Sequence, residues 1–371
     1  MSVNQARLVQ TFSDLVAIDA LSFEEREMAD YLKKVWQETC GVTLQEDGAA
    51  AQIGGNAGNL FGRLSGDPGR PELLLSAHMD TVAPGRGKKA VVQADGRITS
   101  AGNTVLGADD AAALAIILEA CRELTERQLS HRPLELLFTV AEEAYARGAA
   151  VFDLSQIEAK LAYCLDCSDR LGAYSAQEPT LLSFELTVHG QSAHAGFKPE
   201  AGVNAVACAA AAIARLPQGW QDPHTTFNIG RIEGGTATNI VPDTVTVKGE
   251  IRSAVHEDAL ACWQHTVAVF EAEAAQIGAS ISVSQTLHLT AYQIEASNPA
   301  LRDYQAVLAR RGLEAYAKPS FGGSDNNILV QQGFSGLCLF NPMHDIHTTH
   351  EYTQISELTA MTELLIDLLT L

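Results

Sequence analysis

The hydrophobic positions of this chain follow two periods, one typical of helices and one typical of strands. Apolar residues recur at helical spacing over residues 4–18, and Ser22-Phe23-Glu24-Glu25, with two acidic residues, predicts the first turn of a second helix. A long apolar stretch at 111–124 predicts a buried helix. Shorter apolar runs predict strands at residues 73–77, 134–140 and 161–165. This alternation predicts a mixed or mostly parallel sheet that is covered by helices.

The order of the predicted elements changes near residue 180. From there the pattern predicts strand, helix, strand, strand, helix and strand, at residues 181–188, 201–216, 226–232, 244–252, 259–277 and 280–289. That order is typical of a ferredoxin-like α+β module. A chain of 371 residues also exceeds the usual size of a single core. We therefore predict one α/β domain, formed by residues 1–179 and 291–371, with a smaller α+β domain inserted at 180–290.

The composition restricts the partners and the compartment. A formal net charge of −20 argues against a nucleic acid or an anionic membrane as partner, since either would need a basic surface. The amino-terminal residues lack the pattern of a signal peptide, and no apolar run is long enough to span a bilayer. Seven cysteines without a disulfide framework fit a reducing environment. We expect a cytoplasmic enzyme.

Acidic and histidine residues collect in five clusters near the ends of apolar runs. Three clusters follow predicted strands, and one precedes the predicted buried helix. Since the carboxyl ends of strands meet at one edge of an open α/β sheet, we expect these side chains to lie together. Imidazole and carboxylate suit zinc, or cobalt or manganese in its place, and here supply ligands for two ions. The clusters are His78-Met79-Asp80, Asp109-Asp110, Glu142-Glu143, Asp166, and His347 with Glu351.

The spacing indicates how some of these side chains could act. His78 and Asp80 are two residues apart, so on an extended strand Asp80 could accept a hydrogen bond from the ring nitrogen of His78 that does not bind metal. The two oxygens of Asp109 could bridge two cations. Of the adjacent Glu142 and Glu143, one could bind metal while the other takes a proton from a metal-activated water molecule.

Each cluster also has a simpler explanation when it stands alone. The His-x-Asp sequence could be a polar turn after a strand, Asp109 could cap a helix, and the glutamate pair could be a solvated turn. Cys164 and Cys167 have the spacing of a redox or zinc motif, but packing of buried cysteines explains them better because no second pair is present. The joint occurrence of the five clusters, in this order and at these strand ends, favours a two-metal hydrolase.

These residues give the chain a resemblance to the peptidase T and carboxypeptidase G family of two-zinc exopeptidases and amidohydrolases. The resemblance extends over nearly the whole chain and implies an α/β catalytic domain of the zinc-exopeptidase type with an inserted lid domain. In the family the lid mediates dimerisation, so we expect a homodimer. The motifs that carry the resemblance are Ser76-Ala77-His78-Met79-Asp80-Thr81, Leu106-Gly107-Ala108-Asp109-Asp110, Ala141-Glu142-Glu143, Gly190-Gln191-Ser192-Ala193-His194-Ala195-Gly196, Thr238-Asn239-Ile240-Val241-Pro242-Asp243, Gly322-Gly323-Ser324-Asp325 and His347-Thr348-Thr349-His350-Glu351.

The resemblance assigns roles to the acidic and histidine clusters. It implies that Asp109 bridges two ions, with Glu143 and His347 as the other ligands of one ion and His78 and Asp166 as the other ligands of the second.

The resemblance also assigns two supporting roles. It implies that Glu142 is the general base and that Asp80 supports a histidine ligand.

The resemblance also implies substrate contacts. His194 matches a lid histidine that reaches a neighbouring active site and stabilises the tetrahedral oxyanion. Asn239 and Arg252 match lid residues that hold a carbonyl or carboxylate group of the substrate. Gly323 and Ser324 lie in a glycine turn that could bring backbone amides close to the substrate.

The motifs favour an aminopeptidase. The sequences around His78 and Asp109 are more similar to the peptidase T branch than to the desuccinylases, so we expect release of the amino-terminal residue from short peptides such as tripeptides. The alternatives are an N-acyl-amino-acid amidohydrolase or a carboxypeptidase of the same family, in which Arg252 would bind a free carboxylate. A catalytically silent relative usually loses the base or a ligand, and this chain keeps all of them.

Two positions depart from the family pattern. Ala111 follows the aspartate pair, where the family usually has lysine. Tyr145 lies two residues after the glutamate pair, where glycine is common. Neither position is a metal ligand by the resemblance, so both bear on the choice of substrate and not on the chemistry.

Overall fold

A computed structural model describes residues 3–371 of the chain. Residues 1 and 2, which belong to the predicted first domain and to the amino-terminal segment discussed above, lie outside the described residues. The chain divides into two compact units. The first unit contains the chain up to Ala176 together with Gln293–Pro319 and Ser324–Leu371, and the second contains Gln177–Tyr292 and Ser320–Gly323.

The described residues form helices and strands that we number in chain order. The helices are α1 (Gln5–Val16), α2 (Arg26–Cys40), α3 (Ala49–Ile53), α4 (Ala108–Glu126), α5 (Arg147–Val151), α6 (Ala205–Ala214), α7 (His256–Ile277), α8 (Pro299–Arg310), α9 (Asp325–Gln331) and α10 (Ile355–Leu369). The strands are β1 (Gln45–Glu46), β2 (Leu60–Leu64), β3 (Leu73–His78), β4 (Ala90–Val92), β5 (Arg97–Ser100), β6 (Leu134–Thr139), β7 (Leu161–Cys167), β8 (Ala173–Glu178), β9 (Thr180–His189), β10 (Ala193–His194), β11 (Gly219–Trp220), β12 (Thr225–Gly234), β13 (Ile240–Val241), β14 (Thr244–Ser253), β15 (Ser280–Leu289), β16 (Tyr292–Gln293), β17 (Tyr316–Pro319), β18 (Ser335–Phe340) and β19 (Tyr352–Gln354).

The first unit is built on a mixed sheet in which β1, β2, β6, β3, β7 and β18 are neighbours in that order. The four strands β6, β3, β7 and β18 run parallel to one another. Along β3, Leu73 and Leu75 pack into one hydrophobic cluster, while Leu74 packs into another. The strand is therefore buried on both faces, which explains why its sequence is a continuous apolar run.

Helices α1, α4 and α10 pack together over the sheet of the first unit. The side chains predicted to share one face of α1 are all buried, as are residues 108–124 of α4. The second helix begins at Arg26 rather than near residue 22, because Phe23 has a left-handed backbone (φ 72°) that does not continue a helix.

The second unit confirms the predicted ferredoxin-like arrangement. Its antiparallel sheet has the order β11-β12-β14-β9-β15, and helices α6 and α7 cover one face. The predicted helix 201–216 is shorter, because Pro199–Ala201 forms a separate 3-10 turn and Asn204 caps α6 by accepting a hydrogen bond from Ala207 N. The α/β class with an inserted α+β unit is therefore confirmed.

Two further features of the described residues concern the helices and the cysteines. None of the helices in residues 3–371 combines the length and the apolar composition needed to cross a membrane. All seven cysteines are free thiols, and six of them are buried. Cys164 and Cys167 are among the buried ones, which fits packing rather than a redox pair.

Candidate metal centre

The carboxyl ends of the four parallel strands carry the predicted site. Strand β3 ends at His78, β6 ends three residues before Glu142, and Asp166 lies near the end of β7. The fourth strand, β18, leads directly into Asn341. Parallel strands end at a common edge, so residues far apart in sequence converge there.

Two groups of possible metal ligands form at this edge. The donor atoms of His78, Asp109 and Asp166 lie within 4.8 Å of one another, as do those of Asp109, Glu143 and His347. Asp109 belongs to both groups. Its Oδ1 is 3.0 Å from His78 Nε2, and its Oδ2 is 3.3 Å from His347 Nε2. One carboxylate thus turns one oxygen toward each group, which is the geometry of a bridging ligand.

The buried carboxyl groups at this edge favour the binding of a cation. Burial and the neighbouring carboxylates raise the pKa of the Asp166, Glu142 and Glu143 carboxyls. Burial would also raise the pKa of Asp109, but hydrogen bonds with His347 and His78 hold it below its usual value. A divalent cation would offset the cost of burying these charges. The nitrogen and oxygen donors of each group also suit zinc, so the residues present fit a pair of ions.

Glu351 holds the loop that carries Asp109. This buried carboxylate accepts hydrogen bonds from Gly107 N (2.7 Å) and Asp109 N (3.1 Å). Gly107 adopts a left-handed backbone (φ 74°), and Asp109 is itself non-helical, so the regular part of α4 begins after it. Both carboxylate oxygens of Asp109 lie beside histidine nitrogens, which argues against the simpler explanation that this side chain caps the helix.

Asp110 has a different task from its neighbour. Its Oδ2 accepts a hydrogen bond from His78 N (2.9 Å), and its Oδ1 accepts one from Asn341 Nδ2 (2.7 Å). These two hydrogen bonds connect the ends of β3 and β18 to the start of α4, so Asp110 positions the residues around it. The peptide bond between Asp109 and Asp110 is cis.

Asp80 makes further contacts besides the expected one with His78. Strand β3 ends at His78, so Asp80 lies in the following turn and the alternation of a strand does not apply. His78 Nδ1 lies 2.9 Å from the main-chain oxygen of Asp80 and 3.4 Å from its Oδ1. The Asp80 carboxylate also accepts hydrogen bonds from Glu142 N (2.9 Å), Glu143 N (3.2 Å) and Ser22 Oγ (2.6 Å). Asp80 thus positions the glutamate pair as well as the histidine.

The two glutamates differ in their surroundings. The Glu143 carboxylate lies 3.0 Å from His347 Nε2, whereas the buried Glu142 carboxylate has no hydrogen-bond partner among residues 3–371. Ala141 and Tyr145 on either side of the pair have left-handed backbones (φ 50° and 74°). Such angles are uncommon for residues other than glycine, so glycine would suit the backbone at the Tyr145 position.

Three residues near the metal edge were not assigned roles from the sequence. Asn341 and Glu351 act as described above, and the third is Asp325, which accepts a hydrogen bond from Thr139 Oγ1. Its other carboxylate oxygen is buried without a partner, and burial raises the pKa of Asp325 to about 6. Asp325 and Glu351 do occur in the quoted motifs, and Asn341 is a polar residue at a strand end, so each had a sequence signal.

Glu25 is a buried acid behind the glutamate pair. Its Oε1 accepts hydrogen bonds from Phe23 N (2.8 Å) and Ala141 N (2.9 Å), and its Oε2 is buried without a partner. Burial and the charge of Asp80 raise the pKa of Glu25 from 4.5 to about 7. Between these pH values the folded protein holds this proton more tightly than the unfolded chain, so the stability contributed by Glu25 falls as the pH rises.

We expect Glu25→Gln to stabilise the metal-free protein at pH 8. Glutamine keeps the acceptor for both amides and removes a buried charge that costs up to about 3 kcal/mol, offset by an unpartnered amide group. The free energy of unfolding in urea should rise by about 1–2 kcal/mol at pH 8 and change little at pH 4.5. Glu25→Ala is the matched control and should destabilise the protein at both pH values. Equal effects of Glu25→Gln at both pH values would contradict this account.

Two predicted substrate contacts lie side by side in the second unit. Strands β10 and β13 form a two-stranded ladder, in which Ala195 N donates to Asn239 O (3.0 Å) one residue after His194. His194 Nδ1 accepts hydrogen bonds from Gly196 N (3.1 Å) and Phe197 N (3.2 Å). In the neutral ring the proton is therefore on Nε2, which leaves His194 with an outward donor.

Of the other predicted substrate contacts, Arg252 and Gly323 belong to the second unit and Ser324 belongs to the first. Arg252 Nε and Nη2 donate to Glu250 (2.7 and 3.3 Å), and Nη1 donates to Phe321 O (3.1 Å). Gly323 belongs to the second unit, in the same segment as Phe321. Ser324 is buried, and its amide and hydroxyl form the capping box of α9. The capping box uses the backbone amide of Ser324, so this amide does not reach a substrate as the sequence predicts.

Comparisons with known proteins agree with this architecture. A model of a peptidase dimerisation domain matches residues 177–278, and one of peptidase family M28 matches residues 59–180. The uncharacterised protein YqjE of Bacillus subtilis is 36% identical over 364 residues, which are 98% of each chain.

Two crystal structures resemble the whole chain. The aminopeptidase PepT of Bacillus cereus is 36% identical with a TM-score of 0.89, over 99% of this chain and 98% of that one. A tripeptidase of Staphylococcus aureus is 33% identical with a TM-score of 0.93, over 100% of this chain and 99% of that one.

The fold, the site and these matches define a peptidase with an α/β unit that carries candidate metal ligands and a unit of the dimerisation type. The chain belongs to the peptidase T-like branch of the peptidase T and carboxypeptidase G family. The resemblance stated from the motifs is thereby confirmed.

Proposed function

We propose that this enzyme is a metal-dependent aminopeptidase that releases the amino-terminal residue from short peptides, tripeptides above all. The observation that carries the proposal is the pair of ligand groups that share Asp109, with the uncommitted carboxylate of Glu142 beside them. The relatives described as an aminopeptidase and a tripeptidase support the choice of bond and of peptide length.

The same geometry supports an assignment of the metal ligands. Asp109 would bridge two zinc ions, with Glu143 and His347 on one ion and His78 and Asp166 on the other. When bound, two such ions polarise a carbonyl group and make a water molecule more acidic. Cobalt or manganese would accept the same ligands.

The remaining chemistry falls to side chains of this chain. Glu142 takes the proton of the attacking water molecule and gives it to the leaving amine, because its buried carboxylate is uncommitted. Asp80 keeps the glutamate pair in place through the two backbone amides. His194 donates from Nε2 to the oxyanion that develops on the substrate.

We also infer a cytoplasmic homodimer. The match to a peptidase dimerisation domain covers most of the second unit, which supports a dimer formed through this unit. His194 would then serve the neighbouring active site. The free thiols of all seven cysteines support a reducing compartment.

The test compares free and blocked peptides. Zinc-loaded protein is incubated with tripeptides that have either a free or an acetylated amino terminus, and the products are identified by mass spectrometry. We expect loss of the first residue from the free peptides only, and no cleavage after treatment with a chelator. Cleavage confined to acetylated peptides, or to the carboxyl-terminal bond, would assign the enzyme to the amidohydrolases or carboxypeptidases instead.

A further inference from the structure

We propose that a cavity between helices α1, α2 and α4 binds short zwitterionic peptides, at a site separate from the metal edge. All three helices belong to the first unit, and α4 packs against the other two. The cavity has a volume of about 650 Å³, which lies within the usual range for sites that bind small molecules. Its ligand can be tested by binding alone, so the test does not depend on catalysis.

The main observation is a buried arginine with few partners. The side chain of Arg122 is 9% exposed and lines the cavity. Its Nη1 donates to Thr11 Oγ1 (2.9 Å), and Glu119 Oε2 lies 3.8 Å from the same nitrogen, beyond hydrogen-bond distance. Four of the five guanidinium N–H groups therefore have no acceptor among residues 3–371. Because a buried charge needs compensating partners, this group points to an anionic group of a ligand in the cavity.

The acidic residues of α4 are already paired with another arginine. Glu119 accepts hydrogen bonds from Arg7 Nε (2.9 Å) and Nη2 (2.9 Å). Arg7 Nη1 also donates to Glu126 (2.6 Å). Arg7 therefore offsets these two carboxylates, and the guanidinium of Arg122 is left without an acid of its own.

Uncommitted groups of both charges line the rest of the cavity. Lys34 and Glu38 lie one turn apart on α2, and neither forms an ion pair among residues 3–371. The Asp14 carboxylate on α1 accepts a hydrogen bond from the neutral Gln10 amide (2.8 Å) and contacts no cation in this part of the chain. The Tyr31 hydroxyl has no hydrogen bond to another described residue. A ligand with both a positive and a negative group would find partners here.

The carboxylate and the ammonium group of such a ligand have distinct places. Thr11, the hydrogen-bond partner of Arg122, lies one turn before Asp14 on α1. Burial and the charge of Asp14 raise the pKa of the Tyr31 hydroxyl, whereas the charge of Arg122 opposes the rise. Asp14, Tyr31 and Arg122 are thus neighbours. A carboxylate bound by Arg122 would leave the ammonium group beside Asp14 and Tyr31.

The size of the cavity and the charge of the chain favour a peptide over smaller ligands. The cavity follows α2 from Tyr31 to Thr39, which is about 12 Å of helix. An extended dipeptide spans about 7 Å and a tripeptide about 10 Å, whereas a free amino acid holds its two charges much closer together. A simple anion would be repelled by a chain with a net charge of −20.

Helix α4 separates this cavity from the metal edge. Asp109 lies at the start of the helix and Arg122 near its end, about 20 Å apart at the rise of an α-helix. One short peptide cannot reach both places. A peptide in the cavity therefore leaves the candidate metal ligands free.

The experiment measures binding of the dipeptide glycyl-leucine to chelator-treated protein by isothermal titration calorimetry. We expect acetylation of its amino group, or amidation of its carboxyl group, to weaken binding about tenfold each, because each removes one charge-assisted hydrogen-bonding group. Arg122→Met should weaken binding of the dipeptide by a similar factor. Arg127→Met is the matched control and should bind as the wild type does, since Arg127 is on the same helix, pairs with Glu123 (3.3 Å) and does not line the cavity.

Asp14→Asn keeps the test decisive if Arg122→Met does not fold. This exposed change should weaken binding of glycyl-leucine and leave binding of the acetylated dipeptide unchanged, because only the free peptide has an ammonium group for Asp14 to contact.

Three results would overturn the peptide site. They are no binding by wild-type protein, equal affinity of the wild type and both cavity variants, and binding of acetylated dipeptide or inorganic phosphate as tight as that of the free dipeptide. The last result would indicate a site for simple anions. Cleavage of tripeptides by an enzyme whose cavity binds no dipeptide would leave the proposed function intact, whereas binding without cleavage would reject the proposed function alone.

Discussion

Glu142→Gln should keep the zinc content of the wild type, which we expect to be two equivalents, and hydrolyse tripeptides about 10²–10⁴ times more slowly. Glutamine has nearly the same size and leaves both candidate ligand groups intact, but it cannot accept the proton of the attacking water molecule. The loss should appear in kcat, because the substrate contacts do not change. Steady-state kinetics together with metal analysis by mass spectrometry would measure both quantities on the same protein.

Glu143→Gln is the matched control for this experiment. It alters the neighbouring residue by the same chemical change, yet Glu143 lies within one ligand group and 3.0 Å from His347 Nε2. We expect this variant to lose zinc affinity and to recover activity at higher zinc concentration, whereas Glu142→Gln should not recover. Turnover of Glu142→Gln close to wild type would remove Glu142 from the role of base.

The strands that position the site could be predicted because they are buried on both faces. The apolar runs at 73–77, 134–140 and 161–165 differ from β3, β6 and β7 by at most two residues at either end. The polar residues that end such runs then had to meet at one edge if the strands were parallel. The small sheet of β4, β5 and β19 could not be predicted in this way, since strands of three or four residues show no period.

The supporting contacts of the site had a weaker signal in the sequence. Glu351 and Asp110 act on backbone amides more than 30 residues away, so no local pattern indicates which amide each one will bind. Local chemistry could have placed Ser324 correctly, because a serine followed three residues later by Asn327 is a capping-box pattern. The additional hydrogen bonds of Asp80 to the glutamate pair had no such signal, because Asp80 lies beyond the end of β3 and 62 residues before Glu142.

Asp109→Asn should abolish peptide hydrolysis and lower the zinc content below two equivalents. Asp109 contributes one oxygen to each candidate ligand group, at 3.0 Å from His78 Nε2 and 3.3 Å from His347 Nε2. An asparagine offers a single neutral oxygen, so it cannot bridge two cations and it removes a negative charge that both would share. A change at this one side chain should therefore weaken both groups.

Thermal unfolding in the presence of zinc would separate this effect from misfolding. A ligand at 100 times its dissociation constant stabilises a folded protein by about 2.7 kcal/mol for each site, so zinc should raise the melting temperature of the wild type. We expect a much smaller rise for Asp109→Asn at an unchanged metal-free melting temperature. Asp110→Asn is the matched control, because Asp110 bonds to His78 N and Asn341 and lies in neither ligand group. It should lower the metal-free melting temperature more than the zinc content, and the reverse pattern in the two variants would contradict the assignment of Asp109 as the bridge.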